Sequence, residues 1–247
     1  MAIYFSGTAY TLVGTGSVNH GIGTGDFTWC AWVCPNAAYN TTGHMIAHCR
    51  DANNFALMAG VISATPWGFY WAGSRSFGTT LTAGRWQHLL VTRRAGVIYG
   101  YLDGVESSTT HSDFSGTSMA SGTVNVGGTS GGNYIPKSSV AHIGLFACGT
   151  GAAQALRIAR GAPATDVLGR CMFWLRGEAG RRQLGMIDEG PARVRLTPLF
   201  LNTGNAPSWR QDDAKFADVE SNTATASSGG GGGASSAGIS TMDLLGA

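Results

Sequence analysis

An all-β fold, a β-sandwich, is predicted by three observations. Residues 86–108 read as strands joined by two tight turns. Several further segments alternate apolar and other residues with the period of a strand. The chain also carries 38 glycines in 247 residues, the composition of many turns between short strands.

The 86–108 stretch is the clearest. Gln87, Leu89, Val91 and Arg93 fall on one face of its first strand, and Trp86, His88, Leu90 and Thr92 on the other. Ala95-Gly96 supplies a tight connection, and Val97 to Leu102 forms a second run rich in β-formers. Asp103-Gly104 is the strongest hairpin signal in the chain, because a two-residue type I′ turn needs positive φ at both positions. A third strand begins at Val105.

The other elements follow in order. Ala2 to Tyr4 begins a short strand, and Tyr10, Leu12 and Val13 predict a second one at a sheet edge. In FTWCAWVCP, Phe27, Trp29, Ala31 and Val33 alternate with Thr28, Cys30, Trp32 and Cys34. Both faces are largely apolar, so this is a central strand, closed by Pro35. Strands are predicted at Met45 to His48 and Phe55 to Val61. Trp67, Phe69 and Trp71 form an aromatic stripe at alternate positions. Val124 to Gly127 and Val140 to Cys148 are later strands, the second with Ala141, Ile143, Leu145 and Ala147 on one face. Residues 151–160 and 163–168 each have room for a short helix. Met172 to Leu175, Ala192 to Thr197 and Pro198 to Leu201 are the last β-prone pieces. From Ser221 the chain turns to TATASSGGGGGASSAG, a linker-like composition. The expected division is therefore a sandwich over 1–220 and an arm over 221–247. The arm ends in an apolar tip of Ile239, Met242, Leu244 and Leu245, suited to lying across a partner subunit.

Charge narrows the partners. Charged residues make up 12% of the chain, about half the roughly 25% usual for globular domains. The net charge of +2 leaves no broad basic field for nucleic acid. Arg93-Arg94 and Arg181-Arg182 read as solvated strand or loop ends. No segment is long and apolar enough to span a bilayer. The opening MAIYFSGTAY lacks the basic and apolar runs of a secretory signal. Cytosolic synthesis is expected, with free thiols among Cys30, Cys34, Cys49, Cys148 and Cys171. Cys30 and Cys34 share a strand face but stand roughly 13 Å apart, too far for a disulfide.

Chemistry is sparse. A glycosidase needs two carboxylates facing a groove, and no acid-x-acid pattern lies among aromatics on a strand. HExxH and P-loop patterns are absent. A non-enzymatic protein is expected. His44 and His48 on one strand lie too far apart to share a zinc unless the chain turns. His88 and His142 read as partly buried, hydrogen-bonded sandwich residues. Calcium is the one cofactor to weigh, with Asp26, Asp51 and Asn53 as loop ligands and Asn54, Asp103 or Asp113 as further oxygens. Ordinary turns use the same residues. The aromatic stripe reads first as sheet packing. Its functional alternative is a stacking platform for a glycan, with Trp32, Trp67, Trp71 and Tyr101 as candidates.

The stretch WQHLLVTRRAGVIYGYLDGV, from Trp86, resembles the middle of the concanavalin A-like, laminin G-type domain. AIYFSG and DFTWCAWVCP are similar to its first strands, Val124 to Gly128 to its Val/Ile-Gly-Gly strand, and VAHIGLFACGTGAAQALRI to its late strand. MFWLRGE resembles its Trp-Leu return strand. The likeness covers roughly residues 1–210. It implies a jelly-roll sandwich of two antiparallel sheets that binds glycans or proteins, or decorates larger assemblies, in some members with calcium at the rim. Stand-alone copies of this kind resemble bacteriophage virion proteins of the capsid surface or tail. The resulting expectation is a multi-copy virion structural protein, docked on other virion proteins after cytoplasmic synthesis in a host. A carbohydrate-binding module for host-surface glycans is the alternative.

Overall fold

The computed structural model describes residues 2–6, 10–18, 21–35, 44–50, 55–60, 66–119, 122–127, 137–175, 186–187, 195–200 and 209–210. They form two antiparallel sheets packed face to face. The first sheet runs through β10 (Val105–Glu106), β9 (Val97–Leu102), β8 (Gln87–Arg94), β3 (Phe27–Pro35) and β12 (Lys137–Phe146). Beyond β12 its two ends pair with different partners: β1 (Ala2–Ser6), which continues to β16 (Trp209–Arg210), and β13 (Cys171–Leu175). The second sheet begins with β14 (Met186–Ile187), β15 (Arg195–Phe200), β2 (Tyr10–Val18) and β11 (Gly122–Val126). It continues with β4 (His44–Arg50), β5 (Phe55–Gly60), β6 (Gly68–Tyr70) and β7 (Ser74–Ser76). This is the jelly-roll sandwich that the resemblance implied. The expected boundary at residue 220 and the arm residues Ile239, Met242, Leu244 and Leu245 lie outside the described residues.

Both type I′ turns form as their residues dictate. Ala95 and Gly96 have φ of 48° and 82°, and Asp103 and Gly104 have 51° and 79°. β3 is central, between β8 and β12. β2 is not an edge strand: β11 and β15 flank it. A lone Gly/Thr-rich segment gives little sign of how many neighbours it will find, because burial on both sides is a tertiary property.

The space between the sheets is filled mainly by Phe27, Trp29, Phe55, Trp67, Phe69, Trp71 and Phe77 with aliphatic neighbours. Phe55 stacks on Phe69 at 5.8 Å and meets Trp71 edge-on at 5.6 Å, geometries that add to plain area burial.

The β12 pattern departs from expectation at one point. Between Ala141 and Gly144 the strand spends three residues where β3 spends two, Trp32 to Cys30. His142 takes the left-handed conformation, φ 49°, at this bulge. The bulge shifts the phase. Val140, Ile143 and Leu145 face the inter-sheet core, while Ala141 turns outward beside Trp32, Cys34 and Trp86.

The outer face of the first sheet carries α1 (Ala152–Ala159) and α2 (Ala164–Val167). Ala155, Ile158 and Ala164 cover Cys30, Leu90, Tyr101 and Phe146. A buried hydroxyl network leads the chain into α1. Thr28 Oγ1 donates to Cys148 O at 2.7 Å, and Thr150 N–H donates to Thr92 Oγ1 at 2.9 Å. Gly104 lets α1 settle, since a Cβ there would stand 2.7 Å from Leu156 Cα.

Candidate functional site

One rim of the sandwich is built from the loop 21–26 before β3, the turn between β6 and β7, and the loop 107–119 after β10. Arg93 stands at its centre. As the last inward residue of β8, it sits opposite Phe27 and Ile98. The side chain is fully buried. Its guanidinium lies 5.1 Å from the ring centroids of both Phe27 and Trp71, a favourable place for a desolvated cation. Nε donates to Gly25 O at 2.9 Å, and Nη2 to Gly23 O at 2.8 Å and to Gly25 O. Nη1 donates to Thr117 O and, at 3.4 Å, to Phe114 O. Four carbonyls from two loops thus converge on one cation. Burial pulls the Arg93 pKa down from its ordinary value, and the nearby Asp26 carboxylate acts in the opposite direction. The expectation of a solvated Arg93 is corrected: it shares the inward face with Leu89 and Val91, and the fork geometry of guanidinium suits convergent oxygens.

The rest of the rim is anchored around this point. Met119 N–H donates to Gly23 O at 2.8 Å, and Phe114 N–H to Gly96 O at 3.3 Å. His111 exchanges two backbone hydrogen bonds with Ile98 of β9, and its Nε2 reaches Ser76 O of β7 at 3.2 Å. The loop is therefore tied to both sheets. Outside this frame the surface is polar. Thr24, Asp26, Ser112, Asp113, Ser115 and Ser118 are exposed, and Arg75 pairs with Asp113 at 3.7 Å. The rim offers hydroxyls, carboxylates and one guanidinium on backbone held in place, a donor and acceptor set suited to a polyhydroxylated ligand.

The residues proposed for glycan stacking do not gather here. Trp67 and Trp71 are 0% and 1% exposed, between the sheets. Tyr101 lies beneath α1, where its hydroxyl donates to Glu106 at 2.7 Å. Trp32 is 8% exposed and packs against His88 at 5.2 Å. Trp67, Trp71 and Tyr101 leave no open face for a sugar, so for them the stacking assignment is corrected, and the stripe is the sheet packing that its spacing first suggested. Of the calcium candidates, Asp26 Oδ1 accepts Ala95 N–H at 2.9 Å, while Asp51 and Asn53 lie outside the described residues. Among the described residues, no three His, Cys, Asp or Glu side chains stand together as a metal site. No described helix is long and apolar enough to cross a membrane.

His88 also differs from expectation. It is 1% exposed, not partly buried, and its Nδ1 has no hydrogen-bond partner. Burial, with His142 nearby, pushes its pKa down to about 3. Its backbone N–H donates to Asp103 Oδ1 at 2.8 Å, fixing the start of the Asp103-Gly104 hairpin.

Sheet order, inter-sheet core and rim define a lectin-type jelly roll. The profile described as the concanavalin A-like lectin/glucanases superfamily matches residues 5–141, and the chain belongs to that family. No curated protein matches it in sequence. Among solved structures it is similar to a Bacteroides ovatus protein described as a candidate carbohydrate-binding protein, at 14% identity and a TM-score of 0.59. That alignment covers 84% of this chain and 61% of the other, so this chain spans about three fifths of that protein's length. It is also similar to a heptameric SAP-like pentraxin of Limulus polyphemus, at 13% identity and a TM-score of 0.50, over 79% of this chain and 94% of the other.

Proposed function

We propose that this chain is a non-enzymatic glycan-binding module that recognises its ligand at the rim formed by the loops 21–26 and 107–119. The observation that carries this reading is the Arg93 clamp. It holds polar loops in one arrangement before any ligand arrives, and binding then costs less ordering entropy. The family and the likeness to a carbohydrate-binding protein agree with this reading.

The test is a glycan array probed with the whole chain, with and without chelator. Retention of a defined set of neutral or weakly acidic glycans is expected. A folded chain that retains none refutes the proposal.

A second reading, a virion structural protein present in several copies, draws on the low charge and the apolar tip at 239–245. Val105 is the one exposed large apolar side chain among the described residues. In this reading the apolar contact falls to the arm. Salt-resistant, stoichiometric presence in purified particles supports this reading, and absence from them removes it.

A further inference from the structure

The loop around Asp26 was a candidate for calcium, and its carbonyls are already engaged. Gly23 O, Gly25 O, Phe114 O and Thr117 O are oxygens of the kind a hard cation collects from loops, and all four accept from Arg93. Asp26, beside them, spends Oδ1 on Ala95 N–H. These residues do not fit a calcium ion while the guanidinium is in place. Two positive charges drawn to one set of carbonyls would repel each other.

We propose that Arg93 is a built-in rim cation: its guanidinium stands where a bound divalent ion would otherwise join the two loops, and the rim is ordered without metal. Three features bear on this. The side chain enters from a strand of the sheet and not from a loop, so the clamp forms with the sandwich. The planar fork reaches carbonyls on both loops at once, which a lysine point charge cannot copy. Phe27 and Trp71 flank the cation, each ring centroid 5.1 Å away. The inference goes beyond glycan recognition and stands whether or not the rim binds a sugar.

The experiment has two arms, neither of which needs a ligand. In the first, thermal unfolding of the wild-type chain is followed in excess chelator and in millimolar calcium. The midpoint is expected to agree within about one degree, because an ion held by the native rim would raise it through linkage. A calcium-dependent rise of several degrees overturns the proposal. In the second, amide exchange is compared between wild type, Arg93→Lys and Arg93→Met. Amides in 21–26 and 107–119 are expected to lose protection by about tenfold or more, with the β3–β12 ladder less affected. Unchanged loop protection in Arg93→Met overturns the proposal. If the variants do not fold, the wild-type arm still decides.

Discussion

Trp71→Ala is expected to destabilise the chain by about 4 kcal/mol, the usual scale for removing a large buried aromatic. Trp71 is enclosed by Phe27 at 5.7 Å, Phe55 at 5.6 Å and Phe114 at 5.2 Å, with the Arg93 guanidinium over its face. Truncation leaves a cavity between the sheets and strips the cation of one flanking ring, so packing and the rim clamp fail together. Trp71→Phe is the informative control. It keeps a ring at the site and removes an indole N–H that has no acceptor, so its cost should be well below that of alanine. Chemical denaturation measures both. A stacking residue on an exposed platform behaves differently: alanine there costs little stability and abolishes ligand binding. An unchanged unfolding midpoint for Trp71→Ala would contradict its placement in the core.

The second large effect is with pH. His88 titrates near 6.5 when unfolded and is held at about 3 in the fold, first by burial and then by His142. Between those values the unfolded chain binds a proton that the folded chain refuses. Stability is therefore full above pH 6.5 and falls as the pH drops toward 3, by about 1.4 kcal/mol for each unit. By pH 4.5 the loss from this one side chain approaches about 3 kcal/mol. His111, whose pKa burial also lowers, adds in the same direction. Asp103, raised by its own burial, acts in the opposite sense. His88→Phe keeps a ring against Trp32 and removes the proton site. It should flatten the stability profile between pH 6.5 and about 4. An equally steep profile in that variant would show that His88 is not the group responsible.

Much of the fold was legible because local rules agreed. The period-two alternation of β3 and β8 and the turn chemistry of Ala95-Gly96 and Asp103-Gly104 all describe one sheet. The site was less legible. Arg93 lay on the same face as Leu89 and Val91, a pattern that already marked it as inward, yet its charge and its neighbour Arg94 argued for solvent. What outweighed that argument was a set of carbonyls contributed by loops more than twenty residues away, which no local pattern displays. The aromatic candidates failed for the converse reason. Stacking platforms and core stripes share a sequence signature, and only packing separates them. The β12 bulge was hidden as well, because one extra residue moves Ala141 outward without changing the composition of the strand.

The most direct test of the rim as the binding surface is an amide-exchange footprint of the whole chain with a glycan that it retains. The account predicts added protection within 21–26 and 107–119, undiminished in chelator. Protection confined to the outer face of either sheet, with the rim unchanged, would contradict it.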